Sequence, residues 1–244
     1  MTSLRWLFPI LFAILSACSA SKGFDRAGIQ ESLHQQLDFA GGREATHPTT
    51  INPSLAESLH LGIYFIRREF PARHSIQTME WLSADKDAVV QHLAPLRKDK
   101  IVREVTVLAE PTALTLTRQE LRQASARFGI DVLLLVDGVG AVDRYNNAYA
   151  LLYPTVLGAW LAPGTVIDAL FILTSRLWDL RTDQLLDQQT AEGQAHRTGA
   201  VVLMDNTETL KEAKGRAIDI FGEIAVSHLR SLTAKQAGNS SSLR

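Results

Sequence analysis

The stretch from Ala150 to Leu173, ALLYPTVLGAWLAPGTVIDALFIL, holds no Lys, Arg or Glu and a single Asp. A run this apolar must leave water for a bilayer, a protein core or a partner, and the rest of the chain has to fold around that demand. A single membrane helix is disfavoured. Pro163-Gly164 is a turn pair in the middle of the run, and Asp168 inside a span would cost up to ~3 kcal/mol. The flanking cations, Arg144 and Arg176, give no asymmetry that would orient a span. The stretch divides instead into Ala148 to Ala162 and Thr165 to Leu173, each too short to cross a bilayer and each suited to a buried strand or a short core helix. For Ala148 to Ala162 three placements stay open: core, partner-facing surface, or a loop that dips into a membrane interface through Tyr149, Tyr153 and Trp160. Tyr153, Leu157, Trp160 and Leu161 are the candidate partner-contact residues.

Around this run the hydrophobic periodicity alternates. Leu61 to Ile66 reads as a buried strand. Ser83 to Lys98 has helical spacing, with Ser83 as expected N-cap and Pro95 as a bend. Ile101 to Leu108 reads as a second strand. Thr117-Arg118-Gln119-Glu120 is a capping box that opens a helix closed by Gly129. Ile130 to Val136 is apolar throughout, as a strand covered on both faces should be. Ala169 to Asp179 and Leu185 to His196 read as a hairpin turning at Arg181 to Gln184. Asn206 opens a long helix reaching about Leu232, with Leu210, Ala217, Phe221 and Ile224 on one stripe. The expected fold is α/β: a sheet from β-α-β-α-β, layered with helices, plus a C-terminal hairpin and a long helix, over residues 59–233.

The N-terminus is an address. Arg5 precedes an apolar run, Trp6 to Leu15, too short for a span, and small residues lead into Cys18, the one cysteine of the chain. Leu15-Ser16-Ala17-Cys18 resembles a bacterial lipobox. That resemblance implies a signal peptide over residues 1–17, acylation of Cys18, and attachment to a lipid bilayer through it; with Ser19 rather than Asp next, it implies the outer membrane. Attachment by more than one acyl chain is lasting, since each buried CH₂ contributes ~0.8 kcal/mol. Residues 18–58, rich in turn signals such as Gly41-Gly42 and Asn52-Pro53, are expected to be a flexible tether, with a short helix around Arg26 to Phe39 as the alternative. The tail 234–244 is expected to be disordered.

The chain carries few residues in patterns that chemistry requires. A net charge of −1, one unit more negative once Arg5 is removed, gives no basic footprint for nucleic acid. Gly138-Val139-Gly140 lacks the following helix that a dinucleotide fingerprint needs, so the glycines are expected at a bulge or turn. No GxSxG elbow occurs. The seven histidines show no metal-binding spacing. Asp168 and Asp179 lie about 36 Å apart along an extended chain at ~3.3 Å per residue, too far to share acid and base work. Arg67-Arg68 and Arg73-His74 form a small basic cluster, read as an anion contact or a solvated edge. No catalytic residue, cofactor or metal is assigned.

Phe128-Gly129-Ile130-Asp131-Val132, the segment Ala150 to Gly164, and Leu177-Trp178-Asp179-Leu180 together resemble the rhombotarget lipoproteins. These are uncharacterised lipoproteins of proteobacteria that also encode a rhombosortase. The resemblance spans roughly Leu59 to Leu232 and implies an association with surface-protein processing, without catalytic residues. The alternation is also similar to curli-secretion-type lipoproteins, in which Asp-x-Arg-Thr-Gly makes a hairpin; here Asp183 stands in place of that Gly. The functional expectation is an outer-membrane-anchored periplasmic lipoprotein, not an enzyme, acting as a binding or assembly factor for an envelope protein partner. The alternatives are a homo-oligomeric subunit of an envelope complex or pore, and an envelope hydrolase whose site is assembled from distant residues.

Overall fold

A computed structural model of the chain describes residues 19–37, 58–67, 76–77, 79–109 and 118–241. The sheet has the order β3-β1-β4-β5-β6, formed by β1 (Leu59–Phe65), β3 (Val102–Val107), β4 (Val132–Asn146), β5 (Thr165–Asp179) and β6 (Gln184–Gly199). A short β2 (Ile76–Gln77) continues the edge of β4 beyond β1, pairing with Gly140 and Ala141. The strands β3, β1 and β4 are mutually parallel, and β4, β5 and β6 are antiparallel. This is the expected α/β architecture: crossover helices join the parallel strands, and a hairpin and a long helix follow.

Side-chain alternation divides the sheet into two covered faces. On the first, Val132, Leu134 and Val136 of β4 join Phe171, Leu173 and Leu177 of β5 under three helices. These are α2 (Ser83–His92), α3 (Ala94–Lys98) and α6 (Asn206–Ser241). Leu210, Ala213, Ala217, Phe221, Ala225 and Leu229 make the buried stripe of α6 at three- and four-residue spacing. On the second face α4 (Arg118–Arg127) places Leu121 against Leu133, Leu135 and Trp178. Beside it α1 (Arg26–Leu37) lays Ile29 and Leu33 on Val139, Ala141, Leu170 and Ile172.

Several expectations are corrected. Of the two readings of the first residues after Cys18, the short helix is the one found: α1 runs from Arg26 to Leu37 and buries Ile29 and Leu33 on the sheet, so 19–37 is not a free spacer. The remainder of the expected tether, 38–57, lies outside the described residues. Pro95 does not bend one helix but opens a second, since its ring is accommodated in the first turn of α3. The residue preceding α2 is Leu82, not Ser83, and its N–H donates to Asp85 Oδ2 at 2.9 Å. Thr117 of the capping box lies outside the described residues, while Gly129 does end α4 with a φ of 65°. Gly138 and Gly140 occupy continuous strand rather than a turn. A Cβ on Gly138 would press into the Phe171 ring and one on Gly140 into Leu210, so each glycine makes room for a core side chain of the first face. At the hairpin Asp183 takes the left-handed φ of 60° that glycine would otherwise supply. The Asp179 carboxylate accepts the N–H groups of Arg181 and Thr182 there, at 2.8 and 3.2 Å. The backbone of α6 stays helical through the expected tail to Ser241.

Candidate functional site

Thr165 to Leu173 is a buried strand in the heart of the sheet. Ala148 to Ala162 has the opposite fate. It caps the far end of the β4–β5 ribbon as a 3₁₀ turn, Ala148–Leu152, followed by α5, Val156–Leu161. No helix among the described residues is long and apolar enough to cross a membrane.

The base of this cap is polar and tightly fixed. Asn147 Oδ1 accepts the Tyr149 N–H, and Asn147 Nδ2 donates to the Pro163 carbonyl, both at 2.9 Å. Tyr153 turns its hydroxyl to Thr165 Oγ1 at 2.7 Å. Thr155 caps α5, accepting the Gly158 N–H at 2.9 Å. Gly158 is required because a Cβ there would collide with the Leu152 carbonyl.

Above that base the cap is apolar and open. Val156, Leu157, Trp160 and Leu161 are 80%, 73%, 56% and 74% exposed, while Gly158 and Ala162 face inward. The helix is therefore inverted, with large apolar side chains toward solvent and small residues toward the protein. Tyr149, Leu151 and Leu152 extend the surface from the 3₁₀ turn. Val202 and Leu203, exposed on the 3₁₀ turn Val201–Leu203 that α5 touches, extend it further. Burying each such aliphatic side chain contributes roughly 1.5–3 kcal/mol, so leaving them in water is a standing cost unless something covers them.

Of the four candidate contact residues, Leu157, Trp160 and Leu161 share this surface. Tyr153 is half-buried and braces its base. Tyr149, expected from the sequence at a membrane-dipping loop with Tyr153 and Trp160, is exposed on the same surface, while the contributions of Val156 and Leu203 were missed by sequence reasoning. The spacing of 156, 157, 160 and 161, with the small residues Gly158 and Ala162 on the other side, already marks one helical face, but not which way that face points.

The N-terminal segment meets the sheet at the root of this cap. Ser19 bridges to Asn146, whose N–H donates to Ser19 Oγ at 2.9 Å. Asp143 Oδ2 then gathers the Ser21 hydroxyl and the N–H groups of Lys22 and Gly23 at 2.7, 2.8 and 3.0 Å. Cys18 itself lies outside the described residues.

Beside that anchor point, Asp143, Asp168 and His196 face one another across β4, β5 and β6. Asp168 Oδ1 meets His196 Nδ1 at 2.6 Å, and its other oxygen accepts the Tyr145 hydroxyl at 3.1 Å. The second ring nitrogen of His196 lies 3.2 Å from Thr198 Oγ1. Burial, then the Asp168 hydrogen bond and the Asp168 and Asp143 charges, raises the Tyr145 pKa above the usual phenol value. This Asp–His–hydroxyl order is the one hydrolytic triads use. It stands on a sheet face with the His196 side chain 62% exposed, which leaves the ring open to water.

Three further histidines among the described residues have structural partners. His60 bonds Gly129 O and Thr106 Oγ1, His92 pairs with Asp219, and His228 with Asp187. Among the described residues no three His, Cys, Asp or Glu side chains converge as metal ligands. Asp179 serves the hairpin turn at the opposite end of β5 from Asp168, and the two do not meet. Arg67 pairs with exposed Glu80 at 3.5 Å; the rest of the basic cluster, Arg68, Arg73 and His74, lies outside the described residues. Arg97, Lys98, Lys100 and Arg103 edge a shallow depression of about 610 Å³ at the end of the sheet opposite the cap.

No protein-family model matches the chain, and no curated protein matches it. Solved structures similar to it include the PelC dodecamer from Paraburkholderia phytofirmans, 12% identical with a TM-score of 0.30, the match covering 70% of this chain and 89% of that one. Protein XCC0632 from Xanthomonas campestris is 12% identical with a TM-score of 0.34, over 75% of this chain and 89% of the other. A putative neuraminyllactose-binding hemagglutinin homolog from Helicobacter pylori is 9% identical with a TM-score of 0.37, over 75% and 88%. The chain is distantly similar to these three in structure.

Proposed function

We propose that this chain is a bacterial envelope lipoprotein, held to the periplasmic face of the outer membrane by acyl groups on Cys18, and that it works by binding or assembly. The observation that carries this reading is the docking of Ser19 on Asn146. It fixes the folded body one residue from the cysteine of the lipobox-like segment, so the anchor and the body form one unit. The exposed apolar cap at the same end supports a role in contact. The resemblance to rhombotarget lipoproteins suggests an accessory part in envelope export or surface-protein processing.

The test is chemical. The chain isolated from envelopes of a Gram-negative host should begin at Cys18, carry fatty acyl groups there, and sediment with outer membranes. Cys18→Ser should lose the acyl label and that sedimentation. A mature chain with a free thiol in the aqueous fraction would overturn the reading.

A second reading, an envelope hydrolase, is favoured by one observation, the Asp168–His196–Thr198 alignment. It requires the Thr198 hydroxyl as nucleophile. Ester or amide hydrolysis by the wild type that Thr198→Val and His196→Ala both abolish would establish it, and turnover equal in all three would exclude it.

A further inference from the structure

We infer that the apolar cap is a membrane-interfacial foot: Val156, Leu157, Trp160 and Leu161 of α5, with Leu152 and Leu203 beside them, enter the headgroup–acyl boundary of the bilayer. The inference takes its place in the cell from the lipid-anchor reading above and its chemistry from the cap itself.

Four observations converge on a lipid surface as the occupant. The first is the inverted α5, whose large side chains point away from the protein while its small ones pack inward. The second is charge. Residues 147–164 contain no Asp, Glu, Lys or Arg, and neither do 200–204, the segment that carries Leu203. A protein partner is met through a rim of polar and charged groups around an apolar centre, whereas the acyl region excludes charge. Here the polar groups, Asn147, Thr165 and the Tyr153 hydroxyl, lie behind the surface and are engaged with one another or with the backbone. Third, Tyr149 and Trp160 supply exposed aromatic rings with a polar atom, the residue type enriched where bilayer meets water. Exposed Lys22 and Arg144 stand behind the cap, where anionic headgroups would lie.

The fourth observation is position, and it selects a bilayer over a second copy or a soluble partner. Ser19 is bonded to Asn146, the residue from which the cap departs. One trans peptide puts the Cα of Cys18 ~3.8 Å from that of Ser19. Acyl groups on Cys18 therefore leave the protein at the root of the cap, and the surface nearest to them is the membrane that holds them. Acyl chains and an apolar foot at one end give two attachment points, which fix the orientation of the body as well as its location.

Tryptophan fluorescence tests this directly. Of the mature chain's tryptophans, Trp81 and Trp178 are buried and Trp160 is exposed. The acylated mature product, purified from envelopes, is reconstituted into phosphatidylethanolamine–phosphatidylglycerol vesicles whose acyl chains carry bromine. The expected result is strong quenching of the Trp160 emission and a shift of its maximum to shorter wavelength, with both effects absent in Trp160→Phe. Leu157→Asp combined with Leu161→Asp should abolish the quenching while the protein remains anchored. Leu157→Gln with Leu161→Gln should weaken it, and serves if the charged pair disturbs folding.

Unquenched Trp160 in acylated, vesicle-bound protein would overturn the foot and leave the lipoprotein reading standing. A Trp160 shift that depends on protein concentration and not on vesicles would also overturn it, since a second copy would then be the cover. Quenching in a chain whose Cys18 proves unmodified would uphold the foot and overturn the anchor.

Discussion

Lys214 is a buried charge whose neighbours explain why it is tolerated. Its ammonium donates to Asp85 Oδ2 at 2.6 Å and to the Glu80 carbonyl at 2.8 Å, and it sits 4.4 Å from the centroid of the Trp81 ring. Burial lowers its pKa below the usual lysine value, with Asp85 opposing that shift. Because the folded state holds this proton less firmly than the unfolded state, Lys214 contributes a penalty that is full below its depressed folded pKa. The penalty is relieved as pH rises from there toward 10.5. Asp85→Asn removes the opposing charge and leaves the ammonium inside, which costs on the order of 3 kcal/mol at neutral pH. Urea unfolding as a function of pH should show that loss, and show it shrinking as the pH approaches that of free lysine. A loss that does not change with pH would mean that Asp85 matters for the start of α2, through the Leu82 N–H, and not for Lys214. Lys214→Met tests the same site from the other side, because the Asp85 carboxylate it leaves is partly exposed and still accepts the Leu82 N–H. An apolar chain of similar length over Trp81 and Phe171 should therefore be tolerated better than Asp85→Asn, which strands the ammonium in the core.

At the scale of elements, the close approach of α6 to β6 depends on Gly193. A Cβ there would strike the backbone of Ala213 and Ala217, so Gly193→Ala must push the helix from the sheet along its buried stripe. The expected cost is about 2–3 kcal/mol, as for other overpacked sites. Gly215 lies on the exposed side of the same helix with nothing near its would-be Cβ. Gly215→Ala should stabilise by roughly 0.5–1 kcal/mol, because it removes a helix-interior glycine at no steric cost. Thermal melts of the two variants should move in opposite directions. These glycines also show where the sequence was legible. Gly129 could be read as a helix end from its neighbours alone, since its role depends on local backbone. Gly138 and Gly140 could not, because what they make room for, Phe171 and Leu210, comes from far along the chain. The same limit hid the docking of α1, whose Ile29 and Leu33 find their partners on β4 and β5. At the cap the sequence carried the apolar composition and the helical spacing of 156, 157, 160 and 161. Which way that face points depends on the clamp formed by Asn147, Tyr153 and Thr165, which joins residues across the hairpin.

The whole molecule has two chemically different ends. Strands β4 and β5 run side by side for 15 residues each, about 50 Å at ~3.4 Å per residue. The uncharged cap closes one end, and Arg97, Lys98, Lys100 and Arg103 lie toward the other. Whether those ends hold fixed positions relative to an anchor at residue 18 depends on how rigidly the first residues are tied to the sheet. Asp143 supplies that tie, since one carboxylate oxygen accepts three donors from Ser21, Lys22 and Gly23. Asp143→Ala removes all three bonds at a surface position, so the global stability should change by no more than about 1 kcal/mol. Hydrogen exchange should accelerate over residues 19–25 and stay unchanged in β4, β5 and α6, whose own pairing is intact. If the foot and the anchor act as two attachment points, loosening this tie should also widen the distribution of distances between the bilayer and a spin label placed near Lys98 in vesicle-bound protein. A distribution as narrow as that of the wild type, with exchange at 19–25 accelerated, would mean that the cap alone sets the orientation. If exchange there does not change at all, the Ser19–Asn146 bridge and the docking of α1 hold the segment without Asp143.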